Sequence, residues 1–385
     1  VDAISDEAGT GAPNFPNGLT GDGSALTGIS PFKPVAVTGT TPSLDVGTYN
    51  FFNSGTLTGD TTLTFASVPT NARWNYKFKP ATLTDSWDVS TAAYQQTFFV
   101  GSQANNPQGV FFKPDGLKMY AVSDVDDDVS EYDLSTAWDV TTAVYLQSFS
   151  IVTQESNSQG LFFKPDGLKM YVLGYTEDDV KEYDLSTAWD ISTATYGRDF
   201  SVISNAQNPT DVFFKPDGLK MYVTSNTSGD VNEYNLSTAW DVTTAVYSQN
   251  LSVSVQANTP SSVFFRADGL KMYVLSLAGD DVNEYDLSTA WDISTAVYLQ
   301  AHAVASEESV PQGLFFKPDG LKMYVVGQAV DAVVEYNVGS PTSLTLPASL
   351  QNAPTLTLVT DTVITYEFVT DDAGVTVTLI SEEVL

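Results

Sequence analysis

Along the middle of the chain, short apolar runs alternate with clusters of Gly, Pro, Asn and Asp, and the 3.6-residue apolar period of amphipathic helices is absent. Between Val144 and Asp184 the runs stand at Val144 to Val152, Gly160 to Lys164, Lys169 to Leu173 and Val180 to Asp184, each rich in β-branched and aromatic residues. They predict four short strands. Pro165-Asp166-Gly167 separates the second run from the third. Proline presets φ for a tight turn and glycine takes the positive φ that closes it, so this part reads as a hairpin.

The pattern then recurs. FFKPDGLKMY at Phe162 has near copies at Phe111, Phe213, Phe264 and Phe315, each 51 residues from the last, and Trp87, Trp138, Trp189, Trp240 and Trp291 keep the same step. An unbroken period of this length marks a repeat architecture. Four antiparallel strands per unit make a propeller blade, and five units can close into a ring with only short, protected edges. On this reading the stretch containing Trp138, LSTAWDVTTA, crosses from the outer strand of one blade to the inner strand of the next. The five tryptophans then serve packing between blades, and Asp115, Asp166, Asp217, Asp268 and Asp319 serve the hairpin turns.

The unit LFFKPDGLKMYVLGYTEDDVKEYDLST resembles the YVTN-type propeller repeat, with its PDG hairpin, its Met-Tyr-Val strand and a final Val-x-x-Tyr-Asp strand. Met221-Tyr222-Val223-Thr224 comes nearest to the family's name, and the insertion-like STAWDISTA departs from it. The resemblance spans residues 87 to 337. It implies the fold and leaves the function open, since propellers host many activities.

Outside the repeats, residues 35–80 and 340–385 alternate threonine, valine and aromatics between turn residues. Neither flank holds enough strands for a core of its own. The expected organisation is therefore all-β: a five-bladed propeller over residues 81–339, inserted between two halves of a split β-sandwich formed by 35–80 and 340–385. Residues 1–34, with NFPNGLTGDGSALTGIS, read as an extended attachment or fibre-like segment. That stretch resembles GDGSALTGI-like segments of tailed-phage tail fibres and related virion appendages, and the flanks resemble β domains of phage structural proteins.

Charge narrows the partners. Lys and Arg total 16 against 47 Asp and Glu, a net charge of −31, and ten of the 16 cations fall at the repeat positions of Lys113 and Lys118. A nucleic-acid groove needs clustered cations, and anionic membranes need the same, so neither partner fits. No apolar run approaches the ~20 residues that span a bilayer. With zero cysteines there are no disulfides and no thiolate metal site.

Recurrence also sorts the candidate chemistry. Glu131, Glu182, Glu233, Glu284 and Glu335 share one repeat position and Lys113, Lys164, Lys215, Arg266 and Lys317 another, which reads as structural pairing within blades. Asp128, Asp179, Asp230 and Asp281 each precede the last strand of their unit, where an aspartate can close a turn. Asp124, Asp126 and Asp128 offer hard oxygen ligands to calcium, yet the glycine and distal glutamate of a calcium loop are missing. The single histidine, His302, lies in a strand between alanines and reads as packed or edge-exposed.

KPDGLK and LSTAWD hardly change from unit to unit, and both belong on one face of a propeller. The opposite face carries GSQANNPQ, VTQESNSQ, ISNAQNPT, SVQANTPS and ASEESVPQ together with SDVDDD, GYTEDD, SNTSGD, SLAGDD and GQAVDA, which differ throughout and hold 14 acids and no Lys or Arg. Asn105, Asn106, Asp124, Asp126, Asp127, Tyr175, Glu177, Asn226, Asn258 and Asp280 are the candidate ligand-binding residues there. The expectation is a virion appendage, a tail or capsid fibre, extracellular, with no cofactor besides possible calcium. Its propeller contacts a host surface glycan or protein without catalysis, while its N-terminal segment joins other virion proteins in a homo-oligomer, a trimer. A purely structural capsid-decorating protein and a glycan hydrolase are the alternatives.

Overall fold

The computed structural model describes residues 86–339 throughout and, outside them, the backbone of ten short strands between Val35 and Val384. The chain divides into two compact units, Leu83–Ser340 and a second that draws on both flanks.

The first unit is a five-bladed propeller of four-stranded antiparallel sheets. In the second blade, Ser158–Phe163, Lys169–Gly174, Asp179–Leu185 and Ala194–Ser201 pair in that order from the axis outward. The phase of the repeat differs from the sequence expectation. The run around Val144 is Ala143–Ser150, the outermost strand of the preceding blade, paired with Asp128–Leu134. The cause lies in LSTAWDVTTA. Asp139 caps the single 3-10 turn Val140–Thr142, its carboxylate accepting from the Thr141 N–H at 3.1 Å. So compact a reversal returns the chain beside Leu134, which pairs with Ala143, instead of carrying it to the next blade. The crossing to the next blade is made by residues 151–157. Likewise Asp128, Asp179, Asp230 and Asp281 open the third strands of the first four blades, and Ala332 opens that of the fifth.

The fifth blade is completed from the other end of the repeat region: Ala93–Phe99 adds to Ala332–Asn337 as its outer strand. Ring closure is thus made by backbone hydrogen bonds between the two ends of the repeat region.

The repeated decapeptide is what holds the ring together. Phe111, Phe162, Phe213, Phe264 and Phe315 meet edge-to-face around the axis, with centroids 5.2–5.4 Å apart, in a closed pentagon. Phe163 lies under the Trp189 indole at 5.6 Å, and the same indole stacks on Phe111 of the preceding blade at 6.4 Å. Trp189 has φ 66°, unusual for so large a side chain, and its N–H donates to the Gly167 carbonyl. Gly167 itself has φ 73°, and any Cβ there would stand 2.4 Å from the indole. Turn and tryptophan therefore specify each other. The Tyr171 hydroxyl donates to the Trp240 carbonyl at 2.8 Å, which links this blade to the next.

Charges follow a related plan, with different partners from those expected. Glu182 binds Lys169 at 2.5 Å and accepts from the Val242 N–H of the next blade at 3.3 Å. Lys164 instead pairs with Asp166 of its own turn at 2.7 Å. The register explains this: Lys169 stands opposite Asp184 and diagonally across from Glu182 on the neighbouring strand, whereas Lys164 stands at the hairpin base. His302 is half-buried, edge-on to Tyr336 at 5.7 Å, and burial lowers its pKa.

In the second unit, Ala72–Pro80 pairs antiparallel with Ile364–Thr370 inside a six-stranded sheet, and Thr61–Thr62 pairs parallel with Leu344–Thr345. The packing of these sheets as a sandwich, and the segment 1–34, lie outside the described residues.

Candidate functional site

The face opposite the tryptophans bears a polar funnel of about 240 Å³ around the axis. Its inner ring comes from the first strands: Gln108, Gln159, Thr210, Ser261 and Gln312. Outside them stand Asp124, Tyr175, Asn226, Leu277 and Gln328, which follow the second strands. The outer positions present a different side chain in each blade and the inner ring changes from Gln to Thr and Ser in the third and fourth, so a fivefold frame carries an asymmetric lining.

Three of the ten residues expected to bind ligand line this funnel: Asp124, Tyr175 and Asn226. Asn105 and Asn106 instead brace the loop beside it. The Asn105 N–H donates to Asp126 Oδ2 at 2.8 Å, and Asn106 Nδ2 donates to Asp124 Oδ1 at 2.7 Å. Asp127 takes φ 47°, and its carbonyl accepts from the Ile151 N–H. Glu177, Asn258 and Asp280 stand on the loops around the rim, the first two exposed.

For calcium, Asp124 and Asp126 are taken up by Asn106 and Asn105. Asp128 is drawn into the sheet, where burial pushes its carboxyl up to about 6. Among the described residues no group of three or more His, Cys, Asp or Glu is placed to hold a metal ion.

Below the funnel a second cavity, about 170 Å³, runs along the axis from Gly109, Asp211, Ser262 and Gly313 past the phenylalanine pentagon to Pro216, Ala267 and Pro318. Asp211 and Thr210 are consecutive, so Asp211 stands where the two cavities adjoin. Its Oδ1 accepts from the Val212 N–H at 2.8 Å. Its Oδ2 accepts from the Ser262 hydroxyl at 2.5 Å and the Val263 N–H at 3.0 Å. Ser262 Oγ in turn accepts from the Leu314 N–H at 3.1 Å. A chain of donors therefore runs through three consecutive blades and ends on one carboxyl. Burial in this apolar channel pushes Asp211 up to about 7 against the opposing pull of those bonds.

Asp211 and Ser262 were missed from the sequence although the signal was present. Their column reads Gly109, Gly160, Asp211, Ser262, Gly313, a first-strand position where a titratable group breaks the repeat.

No family model matches the chain, and no curated protein matches it. Solved structures share the fold. The Cps50 (Swd1) β-propeller domain of Myceliophteria thermophila is 10% identical, covering 64% of this chain and 99% of its own, at a TM-score of 0.39. A putative 6-phosphogluconolactonase from Bacteroides uniformis is 13% identical, covering 73% and 86%, at 0.39. The periplasmic gluconolactonase PpgL of Pseudomonas aeruginosa is 15% identical, covering 72% and 70%, at 0.36. These likenesses concern the fold. The expectation of a chain without catalysis is corrected on this point: two of these three structures are named as lactonases, and the propeller fold hosts many activities. None of the three is named as a virion protein.

Proposed function

We propose that this chain is a recognition propeller that binds a neutral or cationic, hydroxyl-bearing ligand in the funnel of its variable face. The carrying observation is the asymmetric polar lining set on a symmetric frame. Amide side chains at Gln108, Gln159, Gln312 and Asn226 offer both donors and acceptors, as sugar hydroxyls require, and Tyr175 adds an aromatic surface. The acids of the surrounding loops repel phosphate-rich or carboxylate-rich ligands. A role as a host-attachment part of a virion appendage extends this reading, and the resemblance of GDGSALTGI is its support.

The test is an array of uncharged and amino-bearing glycans, with release of product followed in parallel. Replacing Tyr175 and Asn226 together by alanine is expected to weaken binding at least tenfold, whereas Asp166→Ala on the opposite face leaves it unchanged. Binding that survives substitution of the funnel in several blades would place recognition elsewhere. A chelator is expected to leave binding intact, because Asp124 and Asp126 already have protein partners.

A further inference from the structure

The axial cavity differs from the funnel in chemistry. Val110, Leu161, Phe162, Phe213, Phe264 and Phe315 make its wall almost wholly apolar, and among the described residues Asp211 is the one charged residue that lines it. Its volume, about 170 Å³, is close to the ~150 Å³ of an engineered cavity that takes up benzene. A carboxylate placed there without a counter-charge is costly, and no Lys or Arg lines the space. The fold does not require it, because three of the five blades have glycine at this position.

We propose that the axial cavity is a binding site for a small apolar molecule bearing one protonated amine, its ammonium held by Asp211 and its body by the phenylalanine ring.

By count, the Asp211 carboxylate can accept one more donor. A carboxylate has about four lone-pair sites, and the N–H groups of Val212 and Val263 with the Ser262 hydroxyl take three, leaving one on Oδ1. Oδ1 faces Gly160, where a Cβ would stand 2.5 Å from it. The same point lies 2.7 Å from Asp211 Cα and 2.9 Å from Val212 N, so glycine there lets the two blades pack closely, and the ammonium meets the carboxylate from the cavity that Asp211 lines. An inorganic cation fits poorly, because calcium seeks six to eight oxygen ligands and the rest of the wall is hydrocarbon. An organic ammonium needs few donors to be satisfied and gains from the faces of aromatic rings around it.

The test uses the full chain at about pH 8 with benzylamine as probe and benzyl alcohol and toluene as uncharged counterparts, followed by calorimetry and by shifts of aromatic resonances. The wild-type protein is expected to bind benzylamine at least tenfold more tightly than either. Asp211→Gly, which installs the residue of the first, second and fifth blades, is expected to erase that preference while toluene still binds. Ser262→Gly should retain it, since the carboxylate remains. Equal affinity for benzylamine in wild type and Asp211→Gly, a wild-type preference for the uncharged rings, or no binding of benzylamine by the wild type would each overturn the proposal.

Discussion

Replacing Trp189 by alanine is expected to destabilise the propeller by about 3–5 kcal/mol, the range for deleting a buried large aromatic side chain. The indole is 8% exposed and stacks on Phe163 of its own blade and Phe111 of the preceding one, so its loss opens a void at a blade interface. Gly167→Ala should be comparably damaging by the reverse route. A methyl group at φ 73° would meet the indole at 2.4 Å, and the turn and the stack cannot both persist. Because both changes break one contact, the double variant should lose less than the sum of the two. Asp166→Ala, which removes a partly exposed pair with Lys164, should cost about 1 kcal/mol or less. Urea unfolding of the four variants checks this. A loss for Trp189→Ala no greater than that for Asp166→Ala would mean the tryptophan is not a structural element of the ring.

That contact also shows what could be read from the sequence. The fivefold step of Trp and Asp-Gly disclosed a propeller and its blade number, because a closed ring demands the same interface at every blade. The phase of the blade was not legible. LSTAWDVTTA has the length of a crossing, and only the cap by Asp139 on a single 3-10 turn shows that it reverses within the sheet. Partners of the repeated charges were hidden for a similar reason: Lys164 and Lys169 both recur, and strand register alone decides that Glu182 meets the second.

The site followed an opposite logic. Recurrence marks the turns and tryptophans that pack one blade on the next. Yet loop variability pointed to the rim, where Glu177 and Asn258 stand, while the funnel is lined largely by strand ends such as Gln108, Thr210 and Gln312. Asp211 escaped notice because it lies inside a strand that otherwise reads as core. Only the axis of the ring shows that this strand borders a cavity.

Asp211 should also leave a mark on stability that depends on pH. Its carboxyl is raised from an ordinary value of 3.8 to about 7, so between these pH values the folded chain keeps a proton that the unfolded chain releases. Folding stability contributed at this position is therefore full below about pH 3.8, falls as the pH rises toward about 7, and is level above it. At about 1.4 kcal/mol per unit the swing is of the order of 4 kcal/mol. Asp211→Gly removes it, so the stability of that variant relative to wild type should climb by about that much between pH 4 and pH 8, as read from urea midpoints at each pH. The offset at low pH, where glycine flexibility and lost hydrogen bonds count, has no bearing on this slope. Other raised acids such as Asp128 are common to both proteins and cancel in the difference. A difference that stays level with pH would mean that the amide donors and Ser262 already support the charge fully. If an ammonium group does bind there, saturating benzylamine should flatten the slope, since a paired carboxylate no longer resists ionisation in the folded state.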